Sequence, residues 1–259
     1  MMKSLLKYFV ELTGNPVSSS ILKFVAKSPI SRPMIKPFAK IYRIDLEETE
    51  YPIRHYRSLN DFFTRRLNGD ARPIPDTPRS LASPVDGKLS DMGKIDSNRS
   101  FYIKGHHYKL DEILGDPDKA ANYQDGYFYI FYLSPSHYHR IHYPIDGRLL
   151  TRYALGGKSY PVNQLGMRFG DQPFATNFRI ISELNTDFGS MAMIKVGALN
   201  INSITLSHAS DHFKKGEELG FFSFGSTVII LLEKSNAFQN MSNADMEVTM
   251  GQTIGKWTL

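Results

Sequence analysis

Apolar residues recur at helical spacing near the start of the chain and in strand-like runs through the rest. Leu5, Leu6, Phe9, Val10 and Leu12 fall three and four apart, as do Ile21, Leu22 and Val25, and Gly14-Asn15-Pro16 and Ser28-Pro29 break the pattern. This spacing predicts short amphipathic helices. Ser58-Leu59-Asn60-Asp61 reads as a capping box opening a further helix, whose Leu59, Phe62, Phe63 and Leu67 share a face and which Asn68-Gly69 ends. Beyond Ala82, turns rich in Gly, Pro and Asp-Gly separate short β-rich runs at 127–133, 148–154, 190–196, 200–206 and 227–232. The fold class expected is α+β, a mainly antiparallel β body behind N-terminal amphipathic helices. Proline-rich residues 73–84 form the joining loop, dividing the chain into a helical region, 1–72, and a β-rich domain, 73–259.

Composition narrows the chemistry. At 259 residues the chain can bury a sizeable core, and without cysteine it has neither disulfides nor a thiolate nucleophile or ligand. No uninterrupted apolar stretch approaches the ~20 residues a transmembrane helix needs, and no long apolar run near the start ends in a small-residue cleavage site. The basic excess is segregated. Residues 1–43 hold eight Lys and Arg against Glu11, a net +7, so the remainder of this +5 chain sums to −2. Such helices commonly dock on the body of a protein with their lysines solvated. The segregated charge favours instead an anionic membrane surface, where each basic residue contributes ~1 kcal/mol. Nucleic acid is not expected, because no recognition motif or stacking platform accompanies the charge.

Phe224-Gly225-Ser226-Thr227, just before the apolar run 228–232, carries the chemistry. A serine after glycine can attack the carbonyl behind it, since no Cβ blocks the approach. The resulting ester breaks by β-elimination to dehydroalanine, and water then expels ammonia to leave a pyruvoyl group. Taken alone, Gly-Ser-Thr is equally a turn entering a strand. Tyr138-His139-Arg140-Ile141-His142 is a second candidate. In a strand His137 and His139 share a face with His142 opposite, whereas a turn brings His139 and His142 together. His-x-His is also a zinc-ligand spacing, but no second cluster completes a site, so no metal is expected. Asp86-Gly87 is a favourable turn as well as a carboxylate.

The order of these segments resembles the phosphatidylserine decarboxylase proenzyme family. The resemblance runs from Phe62-Phe63-Thr64-Arg65-Arg66-Leu67 and Ala71-Arg72-Pro73 through Ser83-Pro84-Val85-Asp86-Gly87 and Ile103-Lys104-Gly105. It continues through Leu133-Ser134-Pro135, the histidine segment, Tyr160-Pro161-Val162-Asn163 and Val196-Gly197-Ala198, and closes with Lys215-Gly216-Glu217-Glu218-Leu219-Gly220 and Phe-Gly-Ser-Thr. Ser136-His137 departs from relatives, which often carry a basic residue and an aspartate there.

The resemblance implies a self-cleaving carboxy-lyase cut between Gly225 and Ser226 into a large chain, 1–225, and a small chain, 226–259. A covalent pyruvoyl cofactor would derive from Ser226. It further implies His142 as the base that activates Ser226, Asp86 as the carboxylate that orients it, and His139 as the residue acting beside the pyruvoyl. The implied substrate is phosphatidylserine, decarboxylated to phosphatidylethanolamine, with the enzyme peripheral on the cytoplasmic face of the cell membrane; a homodimer is admitted. The contrasting readings are a serine hydrolase using Asp86, His142 and Ser226 on an external ester, and a non-catalytic basic binding module.

Overall fold

The computed structural model describes residues 24–103, 106–160, 162, 171–197, 204–207, 210–223 and 226–258. The helices expected over 1–23, the first part of the 200–206 run and Gly225 lie outside them.

Within the described chain the first elements are short. A 3-10 turn, Pro29–Met34, leads into α1, Ile35–Ile41, and a second turn, Ile53–His55, precedes α2, Leu59–Phe63. Ser58 caps α2 as its sequence predicts, its Oγ accepting from Asp61 N at 3.1 Å, while the Asp61 carboxylate reaches back to Arg57 N at 2.9 Å. The helix is shorter than its apolar face suggests. It stops at Thr64, and Leu67 instead bridges to Thr49. Ile35, Phe38, Ile44, Tyr56, Leu59, Phe62 and Phe63 bury one another in a small separate core.

The body is antiparallel β, as expected. Its main sheet has eight strands in the order β11-β7-β8-β9-β13-β5-β2-β15. These are β11 (His212–Phe213), β7 (Gly147–Leu155), β8 (Arg179–Thr186), β9 (Gly189–Gly197), β13 (Ser226–Leu232), β5 (Tyr127–Leu133), β2 (Gly87–Lys94) and β15 (Met246–Val248). The 227–232 run forms β13, unbroken apolar because both faces are covered. Val228, Ile230 and Leu232 join one core, and Ile229 and Leu231 the other.

The first core is closed by two three-stranded sheets. One contains β1 (Ser80–Ala82), β16 (Thr253–Trp257) and β14 (Phe238–Asn240); the other contains β10 (Ile204–Leu206), β12 (Glu218–Phe222) and β6 (Arg140–His142). The second core lies under the hairpin of β3 (Ser100–Ile103) and β4 (His106–Lys109) with α3 (Leu110–Leu114), α4 (Pro117–Ala121) and α5 (Pro173–Thr176). Strand β8 was not anticipated. Its Arg179, Ser182 and Glu183 are buried, and tertiary partners satisfy them: Arg179 donates to the carbonyls of Ile113 and Glu112, and Tyr123 donates to Glu183.

Candidate active site

Ser226 opens β13 at the centre of the main sheet, opposite Leu133 of β5 and Gly197 of β9. By the alternation of the strand its side chain shares a face with Val228 and Ile230. The residue is fully buried and, among the described residues, its Oγ has no hydrogen-bond partner. An orphaned buried hydroxyl costs about 1–3 kcal/mol and calls for an explanation.

The histidine segment is brought to this point by pairing on both sides. Strand β5 ends at Leu133, opposite Ser226, and the chain turns through residues 134–139 into β6. His137 N donates to Ser134 O at 3.0 Å and Ser134 N to His137 Nδ1 at 3.0 Å, closing the turn. On the far side Phe222 N donates to His139 O at 2.9 Å. The histidine segment thus lies between a strand that pairs with the Ser226 end of β13 and a strand that pairs with β12, and among the described residues neither His139 nor His142 makes a hydrogen bond to Ser226 Oγ.

His139 is fully buried, with its ring 3.9 Å, centre to centre, from Phe63 of α2. Its Nδ1 lies 2.9 Å from His137 O, a contact that requires the proton on Nδ1 and leaves the lone pair on Nε2. That Nε2 has no partner among the described residues. Burial, reinforced by His137 and by the Arg65 charge, holds His139 well below the ordinary imidazole value, so it is neutral. His142 is fixed in the same tautomer. Its Nδ1 donates to Gly216 O at 2.8 Å, and its Nε2 faces Tyr138 Oη at 3.3 Å. Burial lowers its pKa, while the Gly216 carbonyl and the Glu218 and Asp86 charges oppose the shift.

Asp86 sits in a loop tied to β6 by His142 N donating to Pro84 O at 2.8 Å. Gly87 follows it of necessity, since a Cβ there would lie 2.9 Å from Tyr132 O. The carboxylate is held by Arg72, whose Nε reaches Oδ1 at 2.8 Å and Nη2 reaches Oδ2 at 2.6 Å, and by Met250 N at 2.8 Å. The same guanidinium grips Glu48 at 2.9 and 3.0 Å. These hydrogen bonds of Asp86 do not include His142, whose tautomer is fixed instead by Gly216 O.

Four further residues build the site, and no role was read for them in the sequence, although each lies in a quoted segment: Arg65, Arg72, Arg140 and Glu218. Arg140 makes a two-pronged pair with Glu218 at 2.8 Å and donates to Thr64 O at 2.8 Å, docking the end of α2 on β6 and β12. Arg65 is only 5% exposed, and burial pulls its pKa down to about 10. His137, the departure from the family pattern, pairs with Glu247 at 3.1 Å at the rim.

Comparison with known proteins identifies the family. The family profile described as phosphatidylserine decarboxylase matches residues 59–256. A phosphatidylserine decarboxylase proenzyme of Halalkalibacterium halodurans is 42% identical over 99% of both chains. The proenzyme of a Geobacillus species is 43% identical over 98% of this chain and 99% of its own. That of Anoxybacillus flavithermus is 46% identical over 98% of this chain and 97% of its own. With a profile spanning α2 to β16 and relatives similar over nearly their whole length, the chain belongs to the phosphatidylserine decarboxylase family.

Proposed function

We propose that the chain is a proenzyme that cuts itself between Gly225 and Ser226 and, once cut, decarboxylates phosphatidylserine to phosphatidylethanolamine. The observation that carries this reading is the Ser226 hydroxyl, fully buried and without a partner among the described residues at the end of a central strand. A serine serving an external ester needs access to that ester. A serine whose target is the preceding peptide bond needs none, so its burial favours self-cleavage over the hydrolase reading.

In this scheme His142 is the base, because its tautomer leaves the lone pair on Nε2. Tyr138 Oη yields its 3.3 Å contact as Nε2 takes the Ser226 proton. Oγ adds to the Gly225 carbonyl carbon and the amide nitrogen departs, giving an ester. Removal of the Ser226 Cα proton then breaks Cβ–Oγ, freeing the Gly225 carboxylate and leaving dehydroalanine. Water replaces the nitrogen, which leaves as ammonia. Asp86 stabilises the histidine cation that forms transiently, acting through its charge.

The buried, unpartnered Oγ fits residue 226 as the origin of a pyruvoyl group. That group supplies a ketone for the substrate amine and an electron sink for the pair released with carbon dioxide. His139, whose Nε2 has no partner among the described residues, is the group that holds the proton destined for the substrate carbon in this scheme. Phe63 over the imidazole keeps water from it.

Residues 1–72 are the membrane-associating part, on the cytoplasmic face. Phe24 is 78% and Ile30 82% exposed, with Lys27, Arg32, Lys36 and Lys40 close in sequence, and among the described residues no helix is long and apolar enough to cross a bilayer. A denaturing gel with intact-mass measurement tests the cleavage. Two fragments, the smaller starting at residue 226 without an α-amine, are expected; a single active chain with Ser226 intact would overturn the scheme.

A further inference from the structure

Arg65 is the buried charge for which the scheme above has no use. It follows α2, lies with its Cζ 5.2 Å from the centre of the Phe62 ring, and forms no ion pair among the described residues. Among the described residues its Nε and Nη1 have no partner. Nη2 reaches only Ser136 O and His137 O, both at 3.4 Å. A guanidinium enclosed this far with no carboxylate in contact, and only the more distant Asp86 and Glu48 charges to offset its desolvation, would be stabilised by an anionic ligand. Its position says which ligand. His137 O, at 3.4 Å from Arg65 Nη2, also lies 2.9 Å from His139 Nδ1, so guanidinium and imidazole share one acceptor.

We propose that Arg65 binds the phosphodiester of the lipid substrate, with Nε and Nη1 as the two donors to its oxygens. The inference rests on the decarboxylase reading. Of the two anionic groups of a phosphatidylserine, the phosphodiester persists from substrate through product, while the carboxylate is lost as neutral carbon dioxide. A guanidinium on the carboxylate would bind the ground state more tightly than the transition state and oppose the reaction. On the phosphodiester it binds both equally and fixes where the headgroup lies. The planar donor fork of arginine suits two phosphate oxygens. An anion there also offsets the Arg65 charge that depresses His139, making that histidine a better proton carrier once substrate is bound.

The test uses Arg65→Gln and Arg65→Lys in the full chain with short-chain lipids below their micelle concentration. Both variants are expected to raise KM for phosphatidylserine at least tenfold with a smaller change in kcat, and to raise the inhibition constant of phosphatidylethanolamine by the same factor. Broadening of the phosphatidylethanolamine ³¹P resonance by wild-type protein should be lost with Arg65→Gln, a readout that requires no turnover. Unchanged KM, unchanged broadening, or a raised KM with product inhibition untouched would overturn the proposal; the last outcome would place the guanidinium on the carboxylate. If Arg65→Gln stays uncut, Arg65→Lys decides by the same measurements. Failure of the wild-type chain to cut or decarboxylate would instead sink the decarboxylase reading, leaving the ³¹P comparison to judge Arg65.

Discussion

Burial lowers the pKa of His142, and its partners only partly restore it, so the proposed base is neutral through the physiological range. The sign follows from linkage. The unfolded state binds the proton below about 6.5 while the folded state resists it, so this contribution to stability is full above about 6.5 and is lost as pH falls below that value. Self-cleavage of freshly refolded chain should therefore be flat at neutral pH and decline only below about 6.5; an acid limb at or above that value would contradict the assignment. Asp86→Asn and His142→Ala should accumulate uncut chain on a denaturing gel. His139→Ala should be cut yet decarboxylate about 10²–10⁴-fold more slowly, the usual loss for a proton-transferring group. The reverse pattern would exchange the two histidines' roles. Ser226, His142, Asp86 and His139 stood out in the sequence because short motifs surround them. The separate holds on Asp86 by Arg72 and on His142 by Gly216 O were invisible there, since they join positions 14 and 74 residues apart.

Strands that carry a long apolar run were readable, and strands whose apolar positions are split by several polar ones were not. The runs at 127–133 and 227–232 became β5 and β13 almost residue for residue, because nothing polar interrupts them. Strand β8 hides Arg179, Ser182 and Glu183 among its apolar positions, and β2 is bulged between Leu89 and Asp91, so neither shows an alternation. Helix α2 was overextended for a related reason: the apolar periodicity runs on to Leu67, but the chain leaves the helix at Thr64, where Arg140 takes its carbonyl. Because β13 is packed on both faces and paired on both edges, Ile230→Ala should cost about 2–5 kcal/mol. Urea unfolding of the Ser226→Ala chain, with and without this change, would measure it without interference from cleavage. A loss under about 1 kcal/mol would mean that β13 is not the central strand.

At the scale of the molecule, the proposed membrane face and the joining of the proposed fragments involve opposite ends of the chain. Phe24→Glu with Ile30→Glu should weaken flotation with phosphatidylserine liposomes while leaving cleavage intact, because both side chains are exposed and neither belongs to a core. Unchanged flotation would remove these residues from the membrane surface. The other end is woven in at three places. Residues 226–259 supply β13 between β5 and β9, β15 on the edge of β2, and β16 between β1 and β14. Every residue of β13 is buried, and Ile254 and Trp257 of β16 close the same core from the opposite side. Cutting before Ser226 severs one covalent bond and none of these pairings. Removing the small fragment would expose the centre of the main sheet and both cores at once, which amounts to global unfolding rather than dissociation of a tail. The two fragments should therefore co-elute in gel filtration at any concentration and separate only in denaturant, with one transition shared by both. Loss of residues 226–259 under native conditions would show that the interwoven strands do not hold the cut enzyme together.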